Sequence, residues 1–149
     1  MNPFLPREIG ATGLAVTSLG LGGAPLGNLF APIAEADAQA VIATAWDTGV
    51  RYFDTAPHYG QGLSEERFGR GLSEMPRDDF VLSTKVGRIM TPDPGAPRKF
   101  NNFIDGLKNK PHYDYSRDGA LRSIEDSLDR LIFRPLETAT VIRWGMVKR

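Results

Sequence analysis

Three residues combine a reactive type with an informative position: Asp54, Tyr59 and Lys85. Asp54 closes the apolar run Val50-Arg51-Tyr52-Phe53, and Lys85 closes Phe80-Val81-Leu82-Ser83-Thr84; both runs have strand composition. Tyr59 lies in the loop just beyond Asp54. In a parallel sheet the carboxyl ends of the strands gather at one edge, and neighbouring strands are about 4.8 Å apart. A carboxylate and an ammonium ending adjacent strands would therefore pair there. A tyrosine folded back over that pair would have a cation beside its phenol, which favours phenolate over the reference state near ~10. Such a group donates or accepts a proton near neutrality, as carbonyl reduction requires. Each residue alone also has a plain reading: the aspartate as a turn residue, the tyrosine as packing, the lysine as solvated. The ordered set at one edge is what favours chemistry.

The elements that must position these residues are legible in outline. Arg7-Glu8-Ile9 and Leu14-Ala15-Val16-Thr17 flank Gly10-Ala11-Thr12-Gly13 and read as a hairpin. Ser18-Leu19-Gly20-Leu21-Gly22-Gly23 reads as a short strand dissolving into a glycine-rich loop. A helix is predicted over 34–48, with Ala38, Val41, Ile42, Ala45 and Trp46 on its buried face and Gly49 just past its end. The strand ending in Asp54 follows. The next helix is predicted to start with Ser64 as N-cap, Glu65 and Glu66 in the first turn, and Leu63 stapled onto Phe68. After the strand ending in Lys85, prolines and glycines between Gly87 and Tyr115 predict a long irregular loop on the substrate side. Arg117-Asp118 then opens a helix with an apolar stripe of Leu121, Ile124, Leu128 and Leu131. Strands alternating with helices through short connections predict a parallel sheet of α/β class.

Composition narrows the functional classes. Eighteen basic and eighteen acidic residues balance to zero net charge, which gives no electrostatic reason to expect nucleic acid or an anionic membrane. The absence of cysteine excludes disulfides and thiolate metal sites and suits a cytoplasmic location. No apolar run reaches transmembrane length, and MNPFLPREIG lacks a leader pattern. No metal site is predicted.

The chain resembles the aldo-keto reductase family of NAD(P)-dependent oxidoreductases on a (β/α)8 TIM barrel. The matching stretches are REIGATGLAVTSLGLGGAPLG, GVRYFDTAPHYGQGLSEERFGRGL, RDDFVLSTKVGR and YDYSRDGALRSIEDSLDRL, spanning residues 7–131. They look most like the branch of aldose, fucose and galactose-type dehydrogenases and pyridoxal 4-dehydrogenase. The resemblance implies that Asp54, Tyr59 and Lys85 are catalytic, with Tyr59 as general acid–base. It also implies NADP or NAD as cofactor, with Gly22, Gly23, Ala24 and Asp54 near the nicotinamide, and a small carbonyl or sugar substrate. Gly20-x-Gly22-Gly23 is not a Rossmann fingerprint.

A full barrel takes about 250 residues, so these 149 lead to the expectation of a partial barrel: the first three or four βα units behind a hairpin. Residues 1–131 are expected to be that half, and 132–149 a divergent tail in which Thr140-Val141-Ile142 would serve as a makeshift fourth strand covered by Trp144. Neither His58 nor His112 falls at the family's histidine position. The expected alternatives are an oxidoreductase and an inactive fragment or association module, self-associating through exposed half-barrel edges.

Overall fold

The computed structural model describes residues 2–132 and the short strand at 140–141. In chain order the elements are β1 (Pro6–Glu8), β2 (Ala15–Thr17), β3 (Leu21–Gly22), α1 (Glu35–Asp47), β4 (Tyr52–Asp54), α2 (Leu63–Leu72), β5 (Val81–Thr84), β6 (Arg88–Pro92), β7 (Lys99–Phe100), β8 (Phe103–Ile104), β9 (Asn109–Tyr113), α3 (Arg117–Leu131) and β10 (Thr140–Val141). Strands β1 and β2 form the expected antiparallel hairpin, with Arg7 opposite Val16. Strands β3, β4, β5 and β10 form one parallel sheet in that spatial order. Short parallel strands laid down consecutively with helices between them are the opening units of a (β/α) barrel. The predicted strand at 140–142 is present as β10 over Thr140–Val141, paired to β5; Ile142 and Trp144 lie outside the described residues. No helix among the described residues is long and apolar enough to cross a membrane.

Period-two alternation sorts the strand side chains between two faces. Phe53 and Leu82 point to the helices, where they join Ala38, Ile42, Phe68, Leu72, Phe80 and Leu131 in the buried core. Phe53 meets Phe68 and Phe80 edge-to-face at 5.8 and 5.9 Å. Tyr52, Asp54 and Ser83 occupy the opposite face, where their polar atoms bond to one another.

Several local expectations are corrected. The N-cap of α2 is Gly62, at φ 107°, not Ser64. Ser64 is fully buried inside the first turn and donates to the Gly23 carbonyl at 2.8 Å. Leu63 is the first helical residue, so it does not precede the cap as a staple requires. Glu65 and Glu66 do lie in the first turn as expected, and Glu65 is in addition fully buried between Thr84 and Arg130.

The segment 87–115 is not irregular. It folds back as the antiparallel ribbon β6–β9, with Met90 opposite Pro111, and carries the small hairpin β7–β8 at its tip. A two-stranded ribbon leaves alternate N–H groups outside its ladder, so proline is tolerated there.

The buried line of α3 is Gly119, Ser123, Ser127 and Leu131, while Leu121 is 45 % exposed. Small residues let α3 lie close to its neighbours: Ser123 donates to the Arg88 carbonyl, and a Cβ on Gly69 of α2 would stand 2.7 Å from the Leu131 carbonyl oxygen. On α1 the buried residues are Ala38 and Ile42. Val41 is 44 % exposed and borders, with Leu19, an apolar groove beside the β3 edge.

Candidate active site

Asp54 and Lys85 meet at the carboxyl edge of β4 and β5. The Lys85 ammonium donates to Asp54 Oδ2 at 2.8 Å and to the Thr55 carbonyl at 2.9 Å. Asp54 Oδ1 accepts from the Ser83 hydroxyl at 2.7 Å, and Tyr52 Oη lies 3.2 Å from the same hydroxyl. Both members of the pair remain partly solvent-exposed, so their attraction is screened and what they contribute above all is fixed geometry.

Tyr59 opens a tight turn, Tyr59–Gly62, in which Gly60, Gln61 and Gly62 all have left-handed φ values of 64°, 51° and 107°. For Gln61 that conformation costs roughly 1–2 kcal/mol, so surrounding contacts must enforce it. One of them is Gly27: a Cβ there would stand 2.5 Å from the Tyr59 carbonyl carbon. The Tyr59 ring lies between two partners. Lys85 Nζ sits 5.0 Å from its centroid, and the Phe103 ring lies at 5.8 Å with 33° between planes. The lysine is thus placed over the ring face, a cation–π arrangement, while its hydrogen bonds go to Asp54 and Thr55.

The glycine-rich loop after β3 is tied to this edge. Gly22 is the register partner of Asp54, and nothing lies within 4 Å of where its Cβ would be. The Gly23 N–H donates to the Asp54 carbonyl at 2.7 Å. A Cβ on Gly23 would strike Phe68 and Ser64 at 2.5 Å, so this glycine permits close packing on α2. Ala24 leads into the 3-10 turn Pro25–Gly27. Arg67 holds the next stretch: its guanidinium donates to the Leu26 and Ile33 carbonyls, to Asn28 Oδ1 and to Glu35. Burial alone would raise the Glu35 carboxyl, but the hydrogen bonds from Arg67 and Gln39 and the Arg70 charge outweigh it and hold the group below its ordinary value.

The ribbon docks on both loops. The Leu107 N–H donates to the Gly60 carbonyl, Ile104 to Asn28, Phe30 to Asn102, and the Asn109 side chain to the Gln61 carbonyl. His58 is enclosed by Phe100 and Phe103, and its Nε2 lies 3.1 Å from the Asn101 amide. Burial, reinforced by the Arg88 charge, pushes His58 down to about 4. His112 sits on β9 beside Thr91.

Sequence reasoning missed Ser83, Phe103 and the Glu65–Arg130 pair. Ser83 was accessible, since period-two alternation puts it two residues before Lys85 on the same face. Phe103 and Arg130 reach the site across long sequence separations, and local patterning carries no signal for either.

A parallel βα sheet that delivers a hydrogen-bonded Asp–Lys pair and an overlying tyrosine to the carboxyl ends of its strands belongs to the barrel class whose reactive groups gather on that face. Within that class, the aldo/keto reductase family model matches residues 18–141, and the chain belongs to this family. It is 46 % identical over 150 residues to pyridoxal 4-dehydrogenase of Microbacterium luteolum, covering 95 % of this chain and 44 % of that protein. It is 45 % identical over 125 residues to D-threo-aldose 1-dehydrogenase of a Pseudomonas species, covering 81 % and 38 %. Among solved structures, an aldo-keto reductase of Bacillus halodurans in its holo form matches with a TM-score of 0.66 at 29 % identity, covering 91 % of this chain and 39 % of that one. The chain spans less than half the length of these relatives.

Proposed function

We propose that this chain carries the acid–base part of an NAD(P)-dependent oxidoreductase site, acting on an aldehyde, a ketone or a sugar carbinol. The observation that carries the proposal is the Tyr59 ring held over the Asp54–Lys85 pair at the carboxyl edge of the sheet. The two relatives named as dehydrogenases of pyridoxal and of an aldose support the substrate class.

The residues present fit the reactive end of a nicotinamide. The open space at Gly22, beside the partly exposed Asp54, leaves a flat floor that a side chain would fill. Gly22 and Asp54 would hold that end, with Gly23 and Ala24 shaping the loop around it. The cofactor, when bound, supplies or accepts the hydride.

The protein's own part is the proton. In reduction, the Tyr59 hydroxyl donates its proton to the substrate carbonyl oxygen; in oxidation, the phenolate takes the carbinol proton back. The Lys85 ammonium stabilises the negative charge that tyrosine then carries. Asp54 keeps the ammonium aimed, and Ser83 fixes the carboxylate through its second oxygen. A cysteine-free composition fits a cytoplasmic setting for this chemistry.

Titration of the purified chain with NADPH and NADH, followed by cofactor fluorescence, should show saturable binding. No binding up to millimolar cofactor would refute the proposal. Tyr59→Phe should lower kcat about 10²- to 10⁴-fold with cofactor affinity nearly unchanged; unaltered turnover would remove Tyr59 from the mechanism. A second reading, a non-catalytic association module, draws on the apolar groove beside the β3 edge and predicts self-association without cofactor binding.

A further inference from the structure

Two hydroxyl groups are fully enclosed where β4 meets α2: Thr55, the residue after Asp54, and Ser64, in the first turn of α2. Their oxygens are 2.8 Å apart. The Ser64 hydroxyl has one proton, and it goes to the Gly23 carbonyl at 2.8 Å. Thr55 is therefore the donor to Ser64, and the bonds run in one direction, from Thr55 to Ser64 to Gly23. Buried hydroxyl pairs contribute little net stability, because their bonds replace bonds to water. What such a pair fixes is position.

Both ends of this chain of bonds reach the site. Thr55 is held at three atoms: its N–H donates to the Ser83 carbonyl at 2.8 Å, its carbonyl accepts from Lys85 Nζ at 2.9 Å, and its hydroxyl goes to Ser64. At the other end, Gly23 is held at both polar atoms. Its N–H donates to the Asp54 carbonyl at 2.7 Å, and its carbonyl accepts from Ser64. The glycine loop and the Lys85 ammonium are thus tied to one another through a side chain on α2. Groups anchored on a regular element hold position better than groups anchored on loops alone.

We propose that Thr55 and Ser64 are positioning residues: their hydroxyls set the spacing between the Gly22–Ala24 loop, where the nicotinamide end would rest, and the Lys85 ammonium at the Tyr59 ring. Neither residue touches the reacting atoms; they act through Gly23 and Lys85. The inference rests on the oxidoreductase proposal, because hydride and proton transfer must share that spacing. Misplacing reacting groups by about 1 Å lowers a rate about 10²-fold.

The test compares Thr55→Val, Thr55→Ser and Ser64→Ala with wild type in the full 149-residue chain. Thr55→Val removes the first donor and leaves the Ser64–Gly23 bond in place. Its thermal midpoint and its NADPH affinity by fluorescence should stay close to wild type. Its kcat for oxidation of pyridoxal or L-galactose with NAD or NADP should fall about tenfold. Thr55→Ser keeps the hydroxyl and should recover most of that loss. Ser64→Ala strands the Gly23 carbonyl and should weaken NADPH binding about tenfold as well. Amide hydrogen exchange reads the positioning without turnover. In Ser64→Ala the Gly23 N–H should exchange about tenfold faster relative to the Val81 N–H, which bonds the Arg51 carbonyl at the amino end of the same sheet. Equal acceleration at both amides, or Thr55→Ser as impaired as Thr55→Val, would overturn the inference. If wild type neither binds cofactor nor transfers hydride, the oxidoreductase proposal falls, and the exchange comparison alone decides whether the hydroxyls hold the loop. Hydride transfer untouched by Thr55→Val removes the positioning role and leaves the oxidoreductase proposal standing.

Discussion

Substituting Arg130→Met tests the most deeply enclosed carboxyl group among the described residues. Glu65 has no exposed side-chain surface, and its carboxylate accepts from Arg130 Nε and from the Thr84 hydroxyl, both at 2.6 Å. Removing the guanidinium leaves that carboxylate with one neutral partner and the amino end of α2. Breaking a buried pair in this way costs about 3–5 kcal/mol, and the helix dipole offsets about 0.3–1 kcal/mol of it. Arg130 is 14 % exposed, so some water would follow into the gap, and the expected loss is about 3 kcal/mol. At a urea m-value of about 2 kcal/mol/M, the unfolding midpoint falls by roughly 1.5 M. The neutral double variant Glu65→Gln/Arg130→Met should lose less than the single one, since it strands no charge. Urea titrations followed by far-UV circular dichroism supply all the values. A loss below about 1 kcal/mol for Arg130→Met, or a double variant no more stable than the single, would refute the view that the enclosed Glu65 carboxylate depends on Arg130.

Two further outcomes are expected. Gly27→Ala sets a methyl group against the Tyr59 and Gly60 backbone at 2.5–2.7 Å; it should destabilise by about 1–3 kcal/mol and lower turnover more than Tyr59-independent cofactor binding, a difference that kinetics and fluorescence titration would resolve. His58 has a folded value of about 4 against 6.5, so the unfolded chain takes up the proton first. Its share of stability is therefore complete above pH 6.5, falls as pH drops toward 4 and is flat below. The gap corresponds to about 3 kcal/mol, reduced to about 1–2 kcal/mol by the ring's partial exposure. His58→Gln should flatten the stability profile across that window, and an unchanged slope in urea unfolding would count against the assignment.

The hairpin, the alternation of strands and helices, and the meeting of Asp54 with Lys85 were all legible because each follows from local composition and from the geometry of parallel strand ends. Residues 87–115 were not, because their prolines signal loops in isolation, and their order comes from docking on residues 28, 60 and 61. Ser64 and Glu65 carry good cap and first-turn chemistry, yet both are drawn inward by Gly23, Thr84 and Arg130. On α3 the leucine spacing marked a helix correctly, but close helix packing favoured the serine line over the larger side chains. The lysine expected at the phenol stands over the ring, with its hydrogen bonds going to Asp54 and the Thr55 carbonyl.

Strand β3 stands at the edge of the parallel sheet and is two residues long, Leu21–Gly22. An edge so short offers a neighbouring backbone too little ladder to be held by generic amide pairing. Beside that edge lies an apolar groove bordered by Leu19, Val41 and Ala45. At this edge strand-templated aggregation therefore has little to grip.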